Sequence, residues 1–217
     1  MSLALQKVAT EAPVNVPQYY RVVIVEDGAN VTSNLSRSSL ERFICQHYWL
    51  AFQACITNLP RRLVAVIDEQ GNLCAACGLQ FADEQSLFSE RYLSQAAGAT
   101  QLPVARNELI EIGSLAVSHP RYMRVLFGAL IEVAHSLKRE WMMFTLTTTL
   151  RRYMARLGLR IQVMAAATHS ALSEEERLLW GQYYQQQPQV CLGHATNGRH
   201  LVDSLALQLA YAGAQDE

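Results

Sequence analysis

Glu111 is the side chain here whose type and place could do chemistry. It lies in Glu108-Leu-Ile-Glu-Ile-Gly-Ser-Leu-Ala-Val117, an otherwise apolar run that reads as a strand. A carboxylate buried there must be paired or must hold its proton, and such shifted carboxylates concentrate at functional sites. A structural ion pair, with Arg151 or Arg42, is the plain alternative. Alternation puts Glu111, Gly113, Leu115 and Val117 on one face, and Ile110, Ile112, Ser114 and Ala116 on the other. Directly after the strand comes the polar turn Ser118-His-Pro-Arg-Tyr-Met-Arg124. It opens a helix, so its amides could seat a phosphate. His119 sits in that turn, and Arg121 and Arg124, three apart, share a face and add charge. Basic groups at a helix start oppose the macrodipole, so they do little for stability there, although two solvated arginines remain the plain reading. Trp180, Tyr183 and Tyr184 form the third cluster. Aromatic rings with polar tips can wall a ligand pocket or pack the C-terminal segment onto the sheet.

Other signals for chemistry are weak. Cys74 and Cys77 form a C-x-x-C, but inside a strand their thiols should point to opposite faces, and no second pair completes a zinc site. The six histidines are scattered without metal-ligand spacing, so no metal is expected. No Walker loop, G-x-S-x-G or G-x-G-x-x-G is present.

The elements that must position these residues follow from periodicity. Residues 1–17 read as a loose arm and 18–217 as a single domain. Tyr20–Val25 is a strand. Ser38 begins a helix, with Glu41 completing a capping box. Its apolar face carries Leu40, Phe43, Ile44, His47 and Ala51, with Tyr48, Trp49 and Phe52 as added bulk. Arg62–Ile67 and Leu73–Phe81 are strands joined by a hairpin loop at Asp68–Asn72. Ser86–Ser94 is a short helix and Ala96–Arg106 a loop. Then come a helix over Arg121–Glu140, a strand over Trp141–Leu146 and a helix over Thr148–Leu157 closed by Gly158. Arg160–Met164 is a strand. Ser173–Tyr184 is a helix with its own capping box, Ser173 and Glu176. Gln189–Leu192 is the last strand and Gly198–Tyr211 the last helix. Crossover helices between strands imply a mixed sheet covered on both faces, of class α/β or α+β.

Composition excludes several classes. Of 217 residues, 50% are hydrophobic and 17% charged, and the net charge is −1, so no nucleic-acid or anionic-membrane partner is indicated. No apolar run approaches the ~20 residues of a transmembrane helix. Lys7 and Glu11 interrupt the N-terminus, which does not read as a signal peptide. A cytoplasmic location is expected, with the five cysteines as free thiols.

Three segments carry a family resemblance: Ser86-Leu-Phe-Ser-Glu-Arg-Tyr-Leu93, Glu111-Ile-Gly-Ser-Leu-Ala116, and Trp180-Gly-x-Tyr-Tyr184 with Pro188 and Val190. From Arg62 to His194 the chain resembles the bacterial thermostable hemolysin family. Members look like GNAT-fold proteins, and their Glu-containing fourth strand is similar to that of acyl-homoserine-lactone synthases. The resemblance implies a mixed, mostly antiparallel sheet, splayed between strands 4 and 5, with helices on both faces. It also implies an N-acyltransferase. An acyl thioester, either acyl-CoA or the phosphopantetheine of an acyl carrier protein, would donate to a small amine or amino acid. Glu111 would bind or deprotonate the acceptor. Amides near Leu115, Ala116 and Val117 would hold the oxyanion, and His119, Arg121 and Arg124 the donor phosphate. Trp180, Tyr183 and Tyr184 would wall the acceptor pocket. GNAT enzymes read Q/R-x-x-G-x-G/A at the phosphate turn; here Arg121-Tyr-Met-Arg-Val-Leu126 keeps only the first position. A lone phosphopantetheine phosphate demands less room there than a pyrophosphate. The GNAT proton-donor tyrosine aligns with Met154, and Tyr153 is its neighbour. Two alternatives stand beside this reading. One is a membrane-active lytic protein using Gly198–Tyr211, where Leu201, Leu205 and Leu209 are spaced by four. The other is a non-catalytic ligand-binding protein on the same fold.

Overall fold

The computed structural model describes residues 19–28, 35–97 and 102–212. The expected N-terminal arm lies outside them. The strands are β1 (Tyr19–Glu26), β2 (Arg62–Asp68), β3 (Leu73–Phe81), β4 (Leu109–Val117), β5 (Trp141–Leu146), β6 (Ile161–Ala166), β7 (Gln189–His194) and β8 (Ala206–Ala212). The helices are α1 (Arg37–Phe52), α2 (Glu90–Ala97), α3 (Tyr122–Ser136), α4 (Thr148–Arg156), α5 (Glu174–Leu179) and the single turn α6 (Arg199–Val202). One sheet runs β6-β7-β5-β4-β3-β2-β1-β8. Only the β4/β5 and β1/β8 pairs are parallel; the other neighbours are antiparallel.

β2 shows why the sheet is central. All seven of its residues are buried. Val64 and Val66 pack into a cluster with α3, whereas Leu63, Ala65 and Ile67 pack into one with α1. A strand covered on both faces loses polar alternation and becomes a β-branched run.

The structure corrects four expectations. Of the expected last helix only the single turn α6 is there. Residues after α6 form β8, parallel to β1 from Tyr19↔Ala206 to Val25↔Ala212. Ala-Leu-Gln-Leu-Ala-Tyr-Ala has a period of two, with Leu207 and Leu209 in the α3 cluster and Ala210 in the α1 cluster. The spacing of four between leucines was coincidental, and the lytic reading loses its segment. Second, α1 is capped by Ser36, whose hydroxyl accepts the Ser39 amide at 3.2 Å, not by Ser38. Third, the faces of β4 change midway. Against β3 the register passes from Gly78↔Gly113 to Ala76↔Ala116, so β4 holds one extra residue. Ser114 absorbs it at φ +53°. Leu115 and Val117 therefore join Ile110 and Ile112 in the α3 cluster and do not share Glu111's face. Fourth, a register shift near Cys74 puts both Cys74 and Cys77 in one buried cluster.

Smaller differences lie at the ends. α2 starts at Glu90, and α5 stops at Leu179, although its Ser173/Glu176 capping box is present. Beyond α5, Gly181 takes φ +48°. A Cβ there would collide with the carbonyl oxygens of Phe52 and Gln53. That close approach lets the Gln182 amide reach Phe52 O at 2.7 Å, tying the end of α1 to the Trp180–Tyr184 segment.

Candidate active site

β4 and β5 pair only from Leu109↔Trp141 to Ile112↔Phe144. Beyond that, β5 stays with β7 through Thr145↔Val190 and Leu146↔Gln189, while β4 bulges at Ser114 and follows β3. The sheet is therefore splayed where the resemblance implied. A cavity of about 810 Å³ fills the wedge. Gly113, Leu115 and Thr145 lie in its wall, with Tyr48, Ala51 and Phe52 from α1. Pro120, Met123, Leu150 and Tyr153 bound one end; Gln80, Phe88, Tyr92 and Trp180 belong to the wall as well.

Glu111 lines this cavity and is 7% exposed. Among the described residues it has no ion-pair partner. Its two oxygens accept the Phe88 amide at 2.7 Å and the Ser89 amide at 2.9 Å. Arg151 instead donates to Leu146 O at 2.7 Å and Gln187 O at 3.1 Å, and Arg42 is exposed. Burial pushes the Glu111 carboxyl above the usual carboxylate range, the Ser89 and Phe88 hydrogen bonds pull it back in part, and nearby Glu90 raises it. This bond joins the segments Ser86–Leu93 and Glu111–Ala116, two parts of the sequence resemblance.

The aromatic cluster divides. Trp180 and Tyr183 line the cavity, and Tyr183 donates its hydroxyl to Thr145 O at 3.0 Å. Tyr184 lies behind the wall, hydrogen-bonded to the Tyr92 hydroxyl. Trp180 is the hub, with ring centroids 5.0 Å from Tyr183 and 5.7 Å from Phe88.

The turn after β4 is more closed than its sequence suggested. The Tyr122 amide bonds His119 O at 3.0 Å, Met123 bonds Pro120 O at 3.1 Å, and the Arg121 amide faces the His119 ring at 3.3 Å. Arg121 folds over Tyr122, giving its hydroxyl a 2.8 Å hydrogen bond, and its Nε is buried without a partner among the described residues. Arg124 is exposed and reaches Ser204 Oγ at 2.9 Å. His119, Arg121 and Arg124 thus flank the cavity end; Ser118, Pro120 and Met123 line it. Tyr153 lines it too; burial raises its phenol pKa while the Arg124 charge lowers it.

Sequence reasoning missed Tyr48. It read as bulk on a covered helix, yet its ring lines the cavity. Burial drives its phenol pKa far up, and the Leu115 backbone lowers it in part. No described group of three or more His, Cys, Asp or Glu side chains is placed to hold a metal.

Residues 31–199 match the family described as thermostable hemolysin. No curated protein matches the chain in sequence. Among solved structures, the AHL synthase LasI superposes with a TM-score of 0.62 at 8% identity, covering 88% of this chain and 98% of that one. MesI, a CoA-dependent acyl-homoserine lactone synthase, gives 0.54 at 18% identity, with 88% and 99% covered. FeeM, an N-acyl amino acid synthase from uncultured soil microbes, gives 0.53 at 15% identity, with 84% and 95% covered. At such identities the likeness establishes the fold, which is GNAT-like.

Proposed function

From its membership of the thermostable hemolysin family, to which this chain belongs, and from the splayed sheet, we propose that the protein is an N-acyltransferase using acyl thioesters. One observation carries the reading: β4 parts from β5 beside a buried carboxylate that faces the gap. A pantetheine arm enters the wedge as a pseudo-strand. The thioester carbonyl meets the amides near Leu115, Ala116 and Val117, with the Tyr48 hydroxyl as a second donor to the oxyanion. Glu111 takes a proton from the acceptor amine. Tyr153, kept protonated by burial, returns one to the leaving thiolate.

The donor phosphate sits at Ser118–Arg124, where it must displace the His119 ring to gain the Arg121 amide. Arg124 and, on α4, Arg156 are exposed near Tyr153 at this end, and among the described residues neither has a carboxylate partner. That face suits an acidic acyl carrier protein better than free acyl-CoA. The acceptor is a small amine at the Glu111, Trp180 and Tyr183 end, with Tyr184 supporting the wall. The reading puts the protein in the cytoplasm, acting as a single domain over residues 18–217, where its five free cysteines stay reduced.

Mass spectrometry tests it. Purified protein is incubated with acyl thioesters of graded length and a pool of amines. An N-acyl amide and an equal amount of free thiol are expected. Glu111→Gln should lower turnover at least about tenfold, a floor set below the ~10²–10⁴ that a general base usually contributes. Unchanged turnover removes Glu111 from the mechanism, and no thioester consumption at all favours the non-catalytic reading.

A further inference from the structure

The acceptor end of the cavity has an unusual charge pattern. Among the described residues, no lysine or arginine lines the cavity, and Glu111 is its one acidic side chain. Two guanidiniums behind the wall are committed elsewhere. Arg91 stacks on the outer side of Phe88 at 4.1 Å and binds Glu176 at 2.8 Å. Arg151 is spent on backbone carbonyls. His47, the other titratable base in the wall, has its Nδ1 tied to Phe43 O at 2.7 Å. The polar side chains that line the cavity beside Glu111 are neutral: Gln80 lies opposite it on β3, and Gln85 donates to Gln80 Oε1 at 2.6 Å; nearby Glu90, which does not line the cavity, is paired with Arg106 at 2.7 Å. The Phe88 and Ser89 amides, which could have received an anion, already hold Glu111.

An α-amino acid offers its nitrogen and its carboxylate two bonds apart. With the nitrogen on Glu111, the carboxylate is held beside a like charge, out of water, with no cation to meet it. A plain ammonium meets only attraction: Glu111 supplies the counter-charge and the faces of Phe88, Tyr92, Trp180 and Tyr183 cover an apolar body. We propose that the acceptor is a primary amine without a carboxylate, an arylalkylamine or alkylamine. This rests on the acyltransferase reading and specifies its second substrate.

The step balances. The Glu111 carboxylate takes one proton from the ammonium. The freed nitrogen lone pair forms a C–N bond to the thioester carbon, and the carbonyl electrons move to oxygen. When they return, the C–S bond breaks and the sulfur leaves as thiolate. Nitrogen loses a second proton as the amide forms, the thiolate gains one to become the thiol, and Glu111 releases its proton to water. Such amines are what amino-acid decarboxylation yields. The product is a neutral amide, apolar at both ends.

Matched pairs test the proposal: phenethylamine against phenylalanine, and tryptamine against tryptophan, with the amino-acid methyl esters as carboxylate-blocked controls. Binding to the full chain is measured by calorimetry, and transfer by amide formation from acyl thioesters. The amines and esters should bind and be acylated at least tenfold better than the amino acids. Glu111→Gln should weaken phenethylamine binding at least tenfold. Should that variant fold poorly, Gln85→Arg, at an exposed position, should bring phenylalanine binding up toward that of the amine. Equal or better use of phenylalanine overturns the proposal, and so does an absence of amine binding. Amine binding without transfer of any acyl group leaves the acceptor site standing and sinks the acyltransferase reading instead.

Discussion

Glu111 holds two backbone amides of a neighbouring segment with one carboxylate, and that double duty couples its chemistry to the stability of the fold. Its pKa is raised by burial, so the folded state binds this proton more tightly than the unfolded chain does. Its contribution to folding is therefore complete at pH below the unfolded carboxylate value and is lost as pH rises through the folded one. The base form appears over that same rise. The rate profile kcat/KM should show an acid limb centred above the ordinary glutamate range, and Glu111→Gln should abolish the limb along with most of the rate. Glutamine has one oxygen to offer two amides, so the variant should also lose about 1–3 kcal/mol in denaturant titration, the usual consequence of an unsatisfied buried donor. A full acid limb in the glutamine variant assigns it to another group. Glu111 was legible in sequence because a charge in an apolar run is costly wherever the run is buried. Arg121 and Arg124 were legible as charges at a helix start, but not as ligands of Tyr122 and Ser204, which are tertiary contacts. Tyr48 was invisible because a core tyrosine and a cavity tyrosine share the same helical spacing.

At the scale of elements, two backbone devices hold the cavity open. The first is the β4 bulge, where Ser114 takes a left-handed conformation disfavoured for residues with a side chain. Ser114→Gly should keep turnover and gain about 1 kcal/mol. Ser114→Val, with a branched Cβ at the same φ, should lose stability and also kcat, because the Leu115 amide moves with the bulge. Equal turnover in the valine variant means that the bulge does not aim the oxyanion donors. The second device is Gly181, packed on the last carbonyls of α1. Gly181→Ala should cost at least about 1–3 kcal/mol, read as a lower Tm, because it adds strain at a positive φ and its Cβ would meet the carbonyl oxygens of Phe52 and Gln53. It should also raise the KM for the amine, since Trp180 and Tyr183 flank that turn. A variant with wild-type Tm and KM shows that the α1 staple is slack. Sequence reading matched the bounds of β3 and β5, where largely apolar runs are flanked by polar segments. It failed at Ala206–Ala212, where alternation and a spacing of four coexist and only the free edge of β1 decides between them. The bulge was likewise illegible, because one inserted residue leaves the apolar pattern of β4 almost unchanged.

For the whole molecule, the segment offered for membrane lysis is spent as an edge strand, and no described helix is long and apolar enough to cross a membrane. Pure protein should therefore leave dye-loaded liposomes intact, whereas complete reaction mixtures should leak in proportion to the lipid-like amide formed. Prompt leakage from protein alone contradicts this. The splay beside β4 was readable only through the family resemblance, and the order of the sheet was not readable at all, since local pattern does not say that β7 inserts between β5 and β6. The central claim is geometric: a thioester arm lies where β4 and β5 part. A crystal structure with a non-transferable ketone analogue of an acyl thioester tests it most directly. The account predicts the pantetheine arm between Gly113–Val117 and Thr145–Leu146, its carbonyl oxygen on the bulge amides and its phosphate at Ser118–Arg124. An analogue bound outside the wedge, or β5 zipped onto the second half of β4 in its presence, contradicts it.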